Sequence, residues 1–273
     1  MSITTVDTAK LQELISRVRS SPDLEALDSS QLSDWWIRKY YISAGGNLDV
    51  ALKAIENTLI WRREFRYQDI WHENFAEEVQ SRKLCFQGKA RDGSAILYWK
   101  GSRHVADVKK ADHRIRFIVR TIEQAIRDGI LDDRLTIVVD KSDVGSENLD
   151  GMQFYRMLIR VLQDKFPQIL QRVIVFPTNW ILWTTWKVIK SFLDPSVADK
   201  FIMLGPKEMH EGLLRYLSPE VVPVRYGGTL TDQQCDEYFV RENGMAQQPA
   251  GFRSNPCLST VDDSSTMDSA VSI

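Results

Sequence analysis

Cysteine is scarce in this chain of 273 residues, which holds Cys85, Cys235 and Cys257 at wide spacings and in odd number. That excludes a disulfide framework and suits a reducing compartment. No run approaches the ~18 apolar residues of a membrane-spanning helix, and the polar start has no apolar h-region, so neither a span nor a signal peptide is expected. Neither sign of charge dominates: 35 Lys and Arg face 37 Asp and Glu, for a net charge of −2. Bulk attraction to nucleic acid is therefore not expected, and any anion site must be a local patch. Walker, GxGxxG and GxSxG loops are missing. His72, His104, His113 and His210 lack metal-ligand spacing and no Cys pair supports zinc, so neither metal nor cofactor is expected. There is no internal repeat.

What is present is an ordinary globular balance, 43% hydrophobic and 26% charged. Leu11, Leu14, Ile15 and Val18 make a short helical pattern, followed by a Ser/Pro/Asp stretch. Ser33 or Asp34 caps a helix to about Tyr41, Gly45-Gly46 breaks it, and a second helix runs from Leu48 to about Phe65. A weaker third helix is expected from Phe75 to Leu84. Strands are expected at Ala95–Trp99, Leu135–Asp140, Val173–Phe176 and Phe201–Leu204, separated by helical patterns around Ile115–Ile126, Met152–Phe166 and Asn179–Leu193. Unbroken apolar β-branched runs alternating with helices predict an α/β fold with a mainly parallel sheet covered on both faces. Glu208–Leu217 is a further helix, Pro223–Gly228 an irregular strand and turn, and the Ser/Thr/Gly/Pro-rich stretch after Glu242 reads as a disordered tail.

The segment Asn179–Leu193 is unusual. At 100° per residue, Ile181, Leu182, Trp186, Val188, Ile189, Phe192 and Leu193 share one broad arc. Trp180 and Trp183 lie on the opposite arc with Thr184, Lys187, Lys190 and Ser191. Tryptophan beside lysine on a polar face suits a membrane interface, where the amphipathic ring and the snorkelling cation both gain. A helix packed on two sides within the protein is the alternative.

Two further motifs fare worse. Cys85 and Arg91 have the Cys-x5-Arg spacing that resembles the phosphate loop of cysteine phosphatases. That chemistry needs a thiolate at a helix N-terminus, whereas a helical stretch precedes Cys85 and a turn into a strand follows Arg91. The paired acids Asp132-Asp133 and Asp140 with Asp143 read mostly as turns or solvated faces.

Seven segments, in order from about residue 30 to 230, are similar to the CRAL-TRIO lipid-binding family, which includes the yeast-type phosphatidylinositol/phosphatidylcholine transfer proteins. They are Trp61-Arg62-Arg63-Glu64-Phe65, Asp92-Gly93-Ser94-Ala95-Ile96, Val138-Val139-Asp140, Lys165-Phe166-Pro167, Phe176-Pro177 with Ile189–Leu193, Asp199–Gly205, and Pro223–Gly228. The resemblance implies a helical N-terminal domain at 29–85 after an extension at 1–28, a lipid-binding domain at 86–240 and a tail at 241–273. It implies one lipid held in an apolar cavity over the sheet. Ile96, Tyr98, Val138, Ile174, Phe176, Trp186, Ile189 and Phe192 would line it, with Ser142 and Ser146 near the headgroup. Trp180, Trp183, Lys187 and Lys190 would face the bilayer from a gate helix.

Lys200 stands where the family has its phosphate-contacting lysine, but Gln168 and Ile169 replace the Glu-Arg pair of the Tyr-Pro-Glu-Arg segment, and Ile42-Ser43-Ala44-Gly45 replaces a basic helix end. The resemblance thus implies a monomeric, non-enzymatic carrier of a phospholipid, of the phosphatidylinositol or phosphatidylcholine class, that is cytoplasmic and works at the membrane periphery. A neutral sterol or isoprenoid ligand, and a membrane or protein adaptor without cargo, remain the rival readings.

Overall fold

The computed structural model describes residues 6–243. Leu11, Leu14 and Val18 bury one stripe of α1 (Thr8–Ser20), whose N-terminus is capped by the Asp7 carboxylate, accepting from the Lys10 backbone N–H at 3.2 Å. A single turn, α2 (Pro22–Glu25), leads to α3 (Asp34–Ser43) and α4 (Leu48–Glu64). Trp36, Ile37 and Tyr40 of α3 and Ala51, Ile55 and Leu59 of α4 close on the α1 stripe, so α1, read from the sequence as part of an extension, packs in the same core as the helices after it. Lys39 fixes this helical unit to the sheet: its ammonium donates to Asp133, at 2.7 Å to the carbonyl and 2.5 Å to the carboxylate.

The next helix is shorter than its pattern suggests. α5 (Ala76–Gln80) stops before Arg82, which takes φ of 50°, and β1 (Leu84–Lys89) begins where the helix was expected to end. Gly88 bulges this strand at φ of 69°, and a Cβ there would lie 2.9 Å from Val221 Cγ1, so the site is closed to larger residues. Cys85 is therefore a fully buried strand residue, with no helix N-terminus at its sulfur.

β1 pairs antiparallel with β2 (Ala95–Lys100) through the Asp92-Gly93 turn. β3 (Leu135–Asp140), β4 (Leu170–Phe176) and β5 (Phe201–Met203) then add in parallel, in spatial order β1-β2-β3-β4-β5. The crossovers are α6 (Ala111–Arg127), α7 (Met152–Lys165) and the pair α8 (Trp180–Lys190) with α9 (Pro195–Ala198). α10 (Met209–Tyr216) and α11 (Asp232–Asn243) close the described chain. Of the tail expected at 241–273, the first three residues end α11 and the rest, with Cys257, lies outside the described residues.

Register sorts the central strands into rows. Leu97, Ile137, Val173 and Phe201 form one row, and Trp99, Val139, Val175 and Met203 another on the same face. Tyr98, Val138, Ile174 and Ile202 point the other way. That second face is solid: Ile96, Tyr98, Val138, Ile174 and Phe176 pack against Leu213, Leu217, Val222 and Tyr226. The first face meets α6, α7 and α8. Ile174 is fully buried, so Ile174→Ala is expected to cost about 2–5 kcal/mol of unfolding free energy in urea. Ile137→Ala, on the other face, should cost at least about 1 kcal/mol less, because its side chain already borders open space. Equal or reversed losses would contradict this division of the faces.

Candidate functional site

The first face of the sheet does not close on its helices. A cavity of about 600 Å³ remains between it and α6, α7 and α8. Leu97, Trp99, Ile137, Val139, Val173, Val175, Phe201 and Met203 form its floor, Ile118 and Ile122 of α6 and Leu158 and Leu162 of α7 its walls, and Leu182, Thr185, Trp186 and Ile189 of α8 its roof. The Trp186 ring stacks on Phe201 with centroids 4.4 Å apart, joining roof to floor. A second hollow, of about 740 Å³, lies among Glu64, Arg66, Asp69, Glu73, Asp112, Arg116 and Arg160. Arg116 pairs there with Glu73 at 2.6 Å and Arg66 with Asp69 at 2.6 Å, and the hollow offers no apolar surface comparable to the first.

α8 is held lightly. The Asn179 side chain caps it, accepting from Leu182 N–H at 3.0 Å, and Gln163 of α7 accepts from Asp194 N–H beyond its far end at 3.1 Å. No residue of α8 is fully buried. Trp180 is 76% exposed and Trp183 46%, and Lys187 and Lys190 are exposed with them. Val188, expected on the inner arc, is exposed as well, and Phe192 lies under the Arg156 guanidinium at 4.3 Å rather than in the cavity.

Of the residues expected to line the cavity, Trp186, Ile189 and Lys200 do so. Ile96, Tyr98, Val138, Ile174 and Phe176 do not; they are one position out of phase, in the solid core on the other face. The strands are apolar on both phases, so no alternation in the sequence marks the cavity side. Ser146 is exposed at the start of a 3-10 turn. Ser142 belongs to a polar cluster on the solid face.

That cluster centres on Asp140, fully buried rather than in a solvated turn. Its Oδ2 accepts from the Tyr98 hydroxyl at 2.6 Å, the Tyr226 hydroxyl at 2.9 Å and Arg225 Nη2 at 2.8 Å, while Oδ1 accepts from Ser142 N–H at 2.9 Å. Tyr226 lies 2.8 Å from Ser142 Oγ as well. Burial pushes both tyrosine hydroxyls well above their ordinary pKa, so they remain donors.

Two polar groups of residues bound the cavity. Lys200 and Gln168, just before β5 and β4, line the cavity at the N-terminal edge of the parallel strands, and Ser43 lines it from the end of α3. Lys200 Nζ donates to the Leu170 carbonyl at 2.7 Å, and burial lowers its pKa. Ile169 is buried among apolar side chains. At the C-terminal edge lie Lys141, His104, Asn148, Asp150 and Tyr155, which the sequence reading missed. The available signal was phase: Lys141 continues the cavity-facing alternation of Ile137 and Val139.

A model of the CRAL/TRIO domain matches residues 79–228, more than half of the chain. The chain belongs to the CRAL/TRIO domain family. Patellin-3 of Arabidopsis thaliana is 24% identical over 209 residues, which cover 71% of this chain and 42% of that protein. Phosphatidylinositol transfer protein PDR17 of Saccharomyces cerevisiae is 23% identical over 229 residues, covering 76% of this chain and 63% of the relative. The chain thus spans less than two thirds of either curated relative. The crystal structure of Sfh5 matches the CRAL/TRIO fold seen here with a TM-score of 0.61 at 19% identity, over 82% of this chain and 78% of that one.

Within this fold Asp140 ties the end of β3 to the Arg225-Tyr226 turn. Asp140→Ala removes the buried carboxylate that Tyr98, Tyr226 and Arg225 share, and is expected to cost about 3–5 kcal/mol in guanidinium chloride unfolding. A loss below about 1 kcal/mol would show that the cluster is not structural.

Proposed function

We propose that this protein encloses one phospholipid, of the phosphatidylinositol or phosphatidylcholine class, in the cavity beneath α8 and exchanges it at membrane surfaces, with no bond made or broken. The observation that carries the reading is the cavity itself. An empty apolar space of about 600 Å³ would cost on the order of 10 kcal/mol at the ~24 cal/mol per Å³ found for cavities in cores, as much as the whole stability of a domain. A floor built of Leu, Ile, Val, Phe and Met therefore calls for an apolar occupant, and acyl chains are flexible enough to fill it.

The roof suits an exit. α8 has no fully buried side chain, so swinging it away forfeits less packing than moving any other crossover, and it carries Trp180, Trp183, Lys187 and Lys190 on its outer side. Aromatic and cationic side chains gain at headgroup depth what they lack in water. No helix among the described residues is long and apolar enough to cross a membrane, so a surface contact of this kind is the mode that fits. The likeness to a phosphatidylinositol transfer protein supports the ligand class. A neutral sterol or isoprenoid is favoured by one observation, the apolar burial of Ile169 at the edge near Lys200.

The test is transfer of fluorescent phosphatidylcholine and phosphatidylinositol between vesicles. Wild-type protein is expected to move at least one of them. Trp180→Ala with Trp183→Ala should weaken vesicle binding about tenfold, the loss of two exposed rings that enter the headgroup layer, while the melting temperature stays within a few degrees. Full transfer by the double variant would contradict the role given to α8, and failure of the wild type to move either lipid would contradict the carrier reading.

A further inference from the structure

We propose that Lys141 is an anion site for the ligand's head, placing a phosphate at the C-terminal edge of the sheet with the chains running back beneath α8. This deepens the carrier reading and rests on it.

The position of the lysine follows from the strand. Lys141 N–H donates to the Phe176 carbonyl at 2.6 Å, so the residue continues the β3–β4 ladder past Asp140. The alternation that turns Asp140 into the solid core turns Lys141 into the cavity, beside Val139 and Trp99. Gly101 leaves room for its stem: a Cβ there would lie 3.3 Å from Lys141 Cδ and 2.8 Å from the Asp140 carbonyl. The ammonium makes no hydrogen bond or ion pair with the described residues; burial lowers its pKa, and the nearby Asp150 carboxylate offsets only part of that lowering.

The acids near it are already taken. Asp150 accepts from Arg114 Nη1 at 2.8 Å and sits 2.6 Å from His104 Nε2. Glu78 pairs with Lys83 and approaches Arg114 at 3.7 Å. Asp150 and Glu78 thus balance Arg114 and Lys83, and Lys141 is left at this end of the cavity without an ion pair to any described residue. Asn148 is spent too, donating to the His104 carbonyl at 2.5 Å and accepting from Gly145 N–H at 2.7 Å. Tyr155 lines the same end with its hydroxyl pushed up to about 12 by burial, so it stays protonated and able to donate. An ammonium without an ion-pair partner among the described residues and a hydroxyl donor, at the end of an apolar cavity, recognise an anionic oxygen attached to a hydrocarbon chain. Lys200, at the opposite edge, already has the Leu170 carbonyl as acceptor.

The experiment compares two probes that differ only by the phosphate, oleoyl lysophosphatidate and monoolein, with the full chain and with Lys141→Met and Lys141→Arg. Wild type should favour lysophosphatidate by about tenfold to a hundredfold, the range a charge-assisted hydrogen bond supplies. Lys141→Met should erase that preference while binding monoolein as the wild type does, and Lys141→Arg should keep it. Inorganic phosphate should not displace lysophosphatidate; if it does, the site takes a free anion and not a lipid head. A preference that survives in Lys141→Met, with monoolein still bound, overturns the assignment and leaves the cavity reading standing. Wild type that binds neither probe overturns the cavity reading itself. Melting curves of both variants exclude misfolding as the cause of any loss.

Discussion

The structure depends on the alternation of side chains along its parallel strands. Each strand must be apolar on both sides, because helices or the C-terminal segment cover both faces of the sheet. The two faces are nevertheless finished differently. Ile96, Tyr98, Val138, Ile174 and Phe176 meet the C-terminal segment in close contact, and the buried Asp140 carboxylate gathers Tyr98, Arg225 and Tyr226 at the edge of that layer. Leu97, Ile137, Val173 and Val175 meet their helices across a gap. A rigid solid face is what allows the other face to stay open, since the sheet then holds its shape without filling from both sides.

The gap also explains why α8 differs from the other crossovers. α6 buries Ile115, Phe117, Ile118, Val119 and Ile122, and it cannot leave the sheet without exposing them. α8 spans a cavity, and its inner residues Leu182, Trp186 and Ile189 are only half-buried. Its contacts with the floor are few and specific, chiefly Trp186 on Phe201. A helix so placed is stabilised by whatever fills the space below it, which couples occupancy to the position of the roof.

Much of the architecture was legible in the sequence. The apolar runs at residues 135–140, 173–176 and 201–204, the helical spacing between them and the Asp92-Gly93 turn locate the parallel sheet and its crossovers, and the Trp/Lys face of residues 180–190 marks the outer side of α8. β1 was not legible, because the helical stretch before it runs into Leu84 without a glycine or proline; the break is made by Arg82 in a left-handed conformation. The phase of the cavity was hidden for a different reason. Ile137 and Val138 are equally good strand residues, and only the tertiary partners on each side decide which one faces open space. The burial of Asp140 at its strand end, where a solvated face or a turn was expected, was hidden because its three partners, Tyr98, Arg225 and Tyr226, are distant in the chain.

The measurement that tests the account most directly is native mass spectrometry of the purified full chain, followed by extraction and identification of whatever it carries. The account predicts one phospholipid per chain, lost together with a marked part of the thermal stability when the protein is stripped. A chain that is empty, equally stable and unable to take lipid from vesicles would contradict it.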